Sequence, residues 1–529
     1  MKKLICSLLI IIIAFGCVSA LAVEEITVTE QMISPERCTG CYVKYVSEVE
    51  EIIVSEEDIP LDTVETQMYG ASLMSLDSDG FNEVQVTDYY GYNVLLKEDA
   101  KLAAAYLRLL EGASNEEWRI TIANGKLTED EIEKVFYACH NDNPQLFNVS
   151  NGRYITLYQM LGSICVGTVI EPIYSSNLNI EEHSAKFVEA ADDIILTSGV
   201  KPDMSDYDKA IALYNELALR VTYDKENLAK HDADMSSATT DAEINEILSK
   251  YAFMHSAYAA MVDGKAVCDG YSKAYQYLLY KVGINSHIAT GTGGGGGHAW
   301  NLVQLDGKWY YTDLTWGDTN DIIIFYEYFN MTEEMLIDNG HEFEEPYANP
   351  YSMPECTSTD HNYFTVNGGI MTSDNMDIDN IVAQLKKNSY ARIYLTDDAS
   401  ASDIKAWYKD HIAELVRRVD DDCSAYVDPF GMGRECILEL FHDTIAPMKN
   451  VGVEICSTTD NVYKFYAGFY DENGMLTGID EIPNLNLEAN KIVTVKPTNI
   501  PDNFKEIKYF IWDKENGLKP IYNVATATY

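Results

Sequence analysis

The stretch HAWNLVQLDGKWYYTDLTW (298–316) leaves the chain few ways to fold. Asp306-Gly307 stands between two runs rich in strand-forming residues. That pair is the strongest short hairpin signal, because a tight turn of this kind needs positive φ at both central positions. With these residues as the whole turn, Leu305 faces Lys308, Trp300 faces Asp313 and His298 faces Thr315. Side chains alternate along a strand, so His298, Trp300, Asp313 and Thr315 are predicted to share one face. His298 and Asp313 then become diagonal neighbours, within reach for an imidazole and a carboxylate. The hairpin delivers an oriented histidine.

A helix is predicted just upstream, in DGKAVCDGYSKAYQYLLYKVG (263–283). Tyr271, Ala274, Tyr275, Leu278, Leu279 and Val282 form one continuous helical stripe, and Gly283 stands where a C-terminal cap belongs. Cys268 therefore falls at the positive end of a helix dipole, beside N–H groups without helical partners, a setting that favours thiolate over thiol. Taken alone, Cys268 reads as a small apolar plug at the helix start rather than as a nucleophile. With the histidine and aspartate that follow, it supplies the third part of thiol acyl transfer: nucleophile, proton shuttle, and a carboxylate that fixes the tautomer.

VCDGYSKAYQYLLYKVGI, GTGGGGGHAWNLVQLDGKWYYTDLTWGD and the spacing between them resemble the transglutaminase-like superfamily, in particular its secreted bacterial members. The resemblance is specific over about 205–330 and looser at DNPQLF (142–147). It places the family's catalytic Cys, His and Asp on Cys268, His298 and Asp313. It also implies an α+β, papain-like core, with the cysteine helix packed on an antiparallel sheet. The implied reaction is acyl transfer on peptide or protein amides, to water (a cysteine protease or amidase) or to an amine (a transglutaminase), without metal or other cofactor. The other function class is a non-catalytic surface protein that holds peptide or glycan.

GTGGGGGHAWN (291–301) runs five glycines into the proposed base. A phosphate cradle is excluded, because no Lys-Ser/Thr follows and a strand comes next. Gly295, Gly296 and Gly297, with Trp300 on the triad face, are read as substrate-binding positions, where bare backbone lets a peptide approach or the loop move. The backbone N–H of Cys268 is the natural oxyanion donor, with Tyr223 or Tyr258 as the second. His287 reads as a packed or surface histidine, and Trp309 and Trp316 as sheet packing. Asp77-Ser-Asp79-Gly80 lacks the later acids of a calcium loop and reads as a turn.

The charge of −46 argues against nucleic acid as a partner, since that binding is driven by Lys and Arg. MKKLICSLLIIIIAFGCVSALA (1–22) has the layout of a secretory signal, with a lipid-modified Cys17 as the competing reading. A secreted or cell-surface protein is expected, with no transmembrane segment. Outside the leader, Cys38-Thr-Gly-Cys41 reads as a disulfide or plain thiols rather than a metal site. Beyond the leader, the expected organisation is an acidic segment (23–95), a helical region (96–204) and the catalytic domain (205–350). A small α/β unit (351–446) with a helix at 402–419 and a β-sandwich module (447–529) complete it.

Overall fold

The computed structural model describes residues 49–53 and 81–528, with interruptions that include 319–323, 344–348 and much of 397–424. The leader with Cys17, the Cys38/Cys41 pair, the Asp77–Gly80 turn and most of the expected helix at 402–419 lie outside the described residues. The chain divides into two compact units, one ending at Val366 and one beginning at Asn367. Residues 351–366 thus belong with the first unit rather than with the α/β unit that follows.

In the first unit, β1 (Val49–Ile53), β2 (Ile120–Asn124), β3 (Val149–Leu161) and β4 (Ile164–Tyr174) form a sheet in the order β1-β3-β4-β2. This corrects the expectation of a helical region over 96–204. RYITLYQM and ICVGTVIEPIY are rich in β-branched and aromatic residues, which suit a pleated, half-buried surface. Helices Ala100–Ser114, Glu129–Asp142 and Ile180–Ser198 surround that sheet in sequence. The first of them runs past Gly112, where a Cβ would come within 2.7 Å of the Ile120 side chain. Close packing explains that glycine.

Helix Asp206–Arg220 starts at Ser205, whose hydroxyl accepts the Asp208 N–H. The short strands β5 (Thr222–Tyr223) and β6 (Lys265–Ala266) pair in parallel and lead into helix Cys268–Lys281. That helix packs on a second sheet, in which β7 (Ser286–Gly293), β8 (Gly296–Leu305), β9 (Lys308–Thr312) and β10 (His341–Glu342) are ordered β10-β7-β8-β9, all antiparallel. Every residue of the predicted stripe is at most 1% exposed. The opposite face is buried too, including Asp269, Ser272, Lys273 and Gln276. The cysteine helix is therefore wrapped on all sides, and Gly283 ends it at φ +86°.

Helix Glu129–Asp142 adds polar contacts to both the cysteine helix and its sheet. Lys273 Nζ contacts His140 Nε2 at 2.8 Å and donates to the His255 carbonyl at 3.1 Å. Tyr137 Oη donates to the Ile288 carbonyl on β7 at 3.3 Å. Asp142 takes the His287 ring at 3.0 Å and the Tyr106 hydroxyl at 3.3 Å. It also accepts the Gly91 and Tyr92 N–H groups, at the start of a helix whose own N-cap, Tyr89, offers no side chain for them. Gly91 is glycine because a Cβ would lie 2.7 Å from that carboxylate. DNPQLF thus opens on a buried charge that ties the upstream helices to the sheet bearing His298.

In the second unit, strands Ile370–Met371, Tyr390–Leu395, Glu435–His442 and Ala425–Met432 form a sheet covered by helix Ile378–Asn388. Farther on, Asn461–Tyr470 and Glu506–Asp513 are strands built from VYKFYAGFY and IKYFIW. Their Phe465, Phe469, Tyr509 and Ile511 share one apolar cluster with Val453 and Val495 of a neighbouring three-stranded sheet.

Asp142→Ala leaves His287 and three other donors without their buried acceptor, a type of loss that costs about 3–5 kcal/mol. A fall of that size in unfolding free energy by denaturant titration is expected; a change below about 1 kcal/mol would show that the upstream helices do not brace the sheet.

Candidate active site

Cys268 opens its helix after Val267, which supplies no side-chain cap for the first-turn N–H groups. The Cys268 side chain hydrogen-bonds the His298 ring and lies in a small cluster with Ile288, Ala299 and Tyr223. Tyr258, the other aromatic weighed as an oxyanion donor, packs instead with Phe147 and His183. Of the two, Tyr223 is the one beside the sulfur.

The Asp306-Gly307 turn forms as predicted, at φ +49° and +74°, and pairs Leu305 with Lys308. The ladder ends three steps earlier than expected, at Asn301 and Thr312. The Trp300–Asp313 and His298–Thr315 pairs do not form, because Asp313 turns the chain into a short helix, Leu314–Gly317, and caps it. Its Oδ1 accepts the Thr315 and Trp316 N–H groups at 2.9 and 3.2 Å. Its Oδ2 meets His298 Nε2 at 2.7 Å. With Nε2 so engaged, Nδ1 is the ring nitrogen left for Cys268. The three residues singled out in the sequence are brought together.

A fourth was not foreseen. His341 Nε2 lies 3.0 Å from the same Asp313 Oδ2. The residue sits on β10, opposite Gly293 of β7, and no periodicity marks so short a strand. Its arrival explains the glycines. A Cβ on Gly291 would stand 2.2 Å from the Glu342 carbonyl, and one on Gly293 would stand 2.9 Å from His298 and 3.0 Å from Trp316. Gly294 and Gly295, at φ +61° and +86°, are the turn between β7 and β8. Gly296 and Gly297, expected beside substrate with Gly295, are the first ladder residues of β8. Trp300, expected to line a cleft, is fully buried against His341 and Phe343 and presents no surface.

Burial alone would push the His298 pKa down. The Asp313 carboxylate, by charge and hydrogen bond, and the Cys268 sulfur outweigh it and raise the value to about 10. Burial likewise opposes the charge on Asp313, but His298, and to a lesser extent His341, hold its carboxyl well below the usual range. His341 goes the other way: burial lowers its pKa more than Asp313 restores it. The site therefore holds one imidazolium and one neutral imidazole on a single carboxylate. A histidine proton held to about 10, against 6.5 ordinarily, stabilises the fold fully below pH 6.5. That contribution is lost as pH rises through 10.

His298, Asp313 and His341 offer three metal-type ligand atoms within 4.8 Å of one another. Tetrahedral zinc bonds of 2.0–2.1 Å would set ligand atoms about 3.3 Å apart. The 2.7 and 3.0 Å separations are those of shared protons instead.

Gly293→Ala is expected to cut acylation of Cys268 by an activated ester about tenfold or more, by displacing the His298 ring. Gly294→Ala meets only an ordinary contact with Trp316 at 3.8 Å. It should cost about 1 kcal/mol in thermal unfolding through its positive φ and leave acylation within about twofold. Equal rate losses in the two variants would contradict this division.

The family model described as Transglutaminase-like superfamily matches residues 195–314. No curated protein matches the chain. Among solved structures, one described as a TGase is 21% identical over 31% of this chain and 44% of its own, with a TM-score of 0.22. An endonuclease/exonuclease/phosphatase from Beutenbergia cavernae DSM 12333 is 8% identical over 20% of this chain and 35% of its own, with a TM-score of 0.11. Each similarity spans less than half of the other chain. Residues 195–314, which contain Cys268, His298 and Asp313, are a domain of the transglutaminase-like superfamily.

Proposed function

We propose that the protein is an exported thiol acyl-transfer enzyme that hydrolyses peptide or protein amides through Cys268, His298 and Asp313. The observation that carries this reading is the contact of one buried histidine with both a helix-start cysteine and, at 2.7 Å, a buried carboxylate. The Cys268 sulfur attacks the amide carbonyl carbon, and the carbonyl oxygen takes the negative charge. The Cys268 backbone N–H receives that oxyanion, with Tyr223 beside it. His298 gives its proton to the leaving amine as the carbon–nitrogen bond breaks, and a thioester remains. Water then adds to the thioester and passes a proton to His298; the carbon–sulfur bond breaks, the acid departs and the thiolate–imidazolium pair is restored. An amine in place of water would give transamidation. Hydrolysis is favoured because an exported protein meets water everywhere, and the sequence of the leader supports export. No helix among the described residues is long and apolar enough to cross a membrane.

Cys268 is 1% exposed and His298 5%, so substrate gains the sulfur only as covering side chains yield. Trp316 stacks on His298 with ring centroids 5.3 Å apart and is one such cover.

Two outcomes test this reading. A peptide library incubated with the protein, with and without a small primary amine, should yield hydrolysed or amine-bearing products by mass spectrometry, and folded Cys268→Ala should yield none. Products from that variant at the wild-type rate would end the cysteine-enzyme reading. Asp313→Asn places an amide opposite two ring N–H groups and cannot stabilise imidazolium. A kcat loss of about 10²–10³ is expected, less than the 10⁴ of a serine enzyme because the thiolate depends less on its base. A change confined to KM would make Asp313 a binding group.

A further inference from the structure

Asp313 Oδ2 meets two histidines, and the reaction above uses only one. His341 lies beyond the matched 195–314 span and is fully buried. Its ring packs between Trp316 and Trp300, with centroids 4.2 and 4.9 Å away. A carboxylate oxygen only accepts, so a neutral imidazole at 3.0 Å must carry its proton on Nε2 and donate it. The titratable groups facing His341 are Asp313, at the end of the hairpin, and His298 on β8, with Cys268 beyond His298. Trp300, Trp316 and Leu336 bring no charge, and the neighbouring Glu342 is exposed.

We propose that His341 is a positioning residue of the acyl-transfer site: a neutral Nε2–H donor that takes up part of the Asp313 charge and so sets how firmly His298 holds its proton. The inference rests on the reading of His298 as the proton shuttle.

With His298 alone on Oδ2, the carboxylate would stabilise the imidazolium more strongly, and a proton held harder is a poorer one to give to a leaving amine. A second donor on the same oxygen weakens that hold, because hydrogen bonds to the charged carboxylate favour its ionised form. It also completes four donors around two oxygens, with Thr315 and Trp316 on Oδ1, so the carboxylate plane is fixed. The bare backbone at Gly291 and Gly293 lets β10 close on β7 and brings His341 to this position.

The test is a pH titration of the full-length protein labelled with ¹⁵N at histidine, read by NMR for wild type, His341→Phe and His341→Gln. His341→Phe keeps an aromatic ring between the tryptophans and removes the donor, and His341→Gln keeps an N–H. In the wild type, His341 should stay neutral with its proton on Nε2 from about pH 6 to 8. In His341→Phe, the His298 midpoint should rise by about half a pH unit or more. His341→Gln should bring it back towards the wild-type value. A folded His341→Phe protein with an unchanged His298 midpoint overturns the proposal. A wild-type His341 that is charged at neutral pH, or carries its proton on Nδ1, overturns it as well, whether or not the phenylalanine variant folds. Failure of the acyl-transfer reading would appear separately, as turnover surviving in Cys268→Ala.

Discussion

A carboxylate buried without partners is costly enough that it would take up a proton instead. Asp313 is 0% exposed, and much of the site follows from how its charge is met. Two backbone N–H groups come from the helical turn that the residue itself caps, and two imidazoles come from strands on either side of β7. Local and tertiary structure thus converge on one group. Its negative charge in turn holds a proton on His298, and that proton faces the sulfur at the start of the cysteine helix.

Helix and sheet must keep their distance fixed for this to work, and the upstream helix Glu129–Asp142 braces both. His140 reaches Lys273 on the cysteine helix, and Asp142 reaches His287 on β7. These are buried polar contacts, which are destabilising when half made and rigidifying when complete. The matched family span begins at residue 195, so the bracing contacts at 137–142 come from outside it.

The parts of the site that were legible in the sequence are those with a short-range signal. A helical stripe placed Cys268, and Asp306-Gly307 fixed a register that brought His298 towards Asp313. The end of β9 was not foreseen, although Asp313 followed by Leu-Thr-Trp carried a signal: an aspartate that can cap a helix competes with the strand for its backbone. The β3–β4 hairpin was hidden among strong helical patterns on both sides. His341 had no local signal, because a two-residue strand has no period and its partner lies 28 residues away. The glycine run was read as an approach for substrate. Its constraints come from Glu342 and Trp316, which only the folded chain sets against it.

In the proposed mechanism, Cys268 and His298 form a thiolate–imidazolium pair at neutral pH. The most direct measurement is the ultraviolet thiolate absorbance of the wild type minus that of Cys268→Ala, followed from acid to neutral pH. A thiolate signal present at pH 7 and lost on acidification is expected, with Cys139 and Cys356 silent because burial pushes their thiols up. No difference between the two proteins at pH 7 would contradict the mechanism.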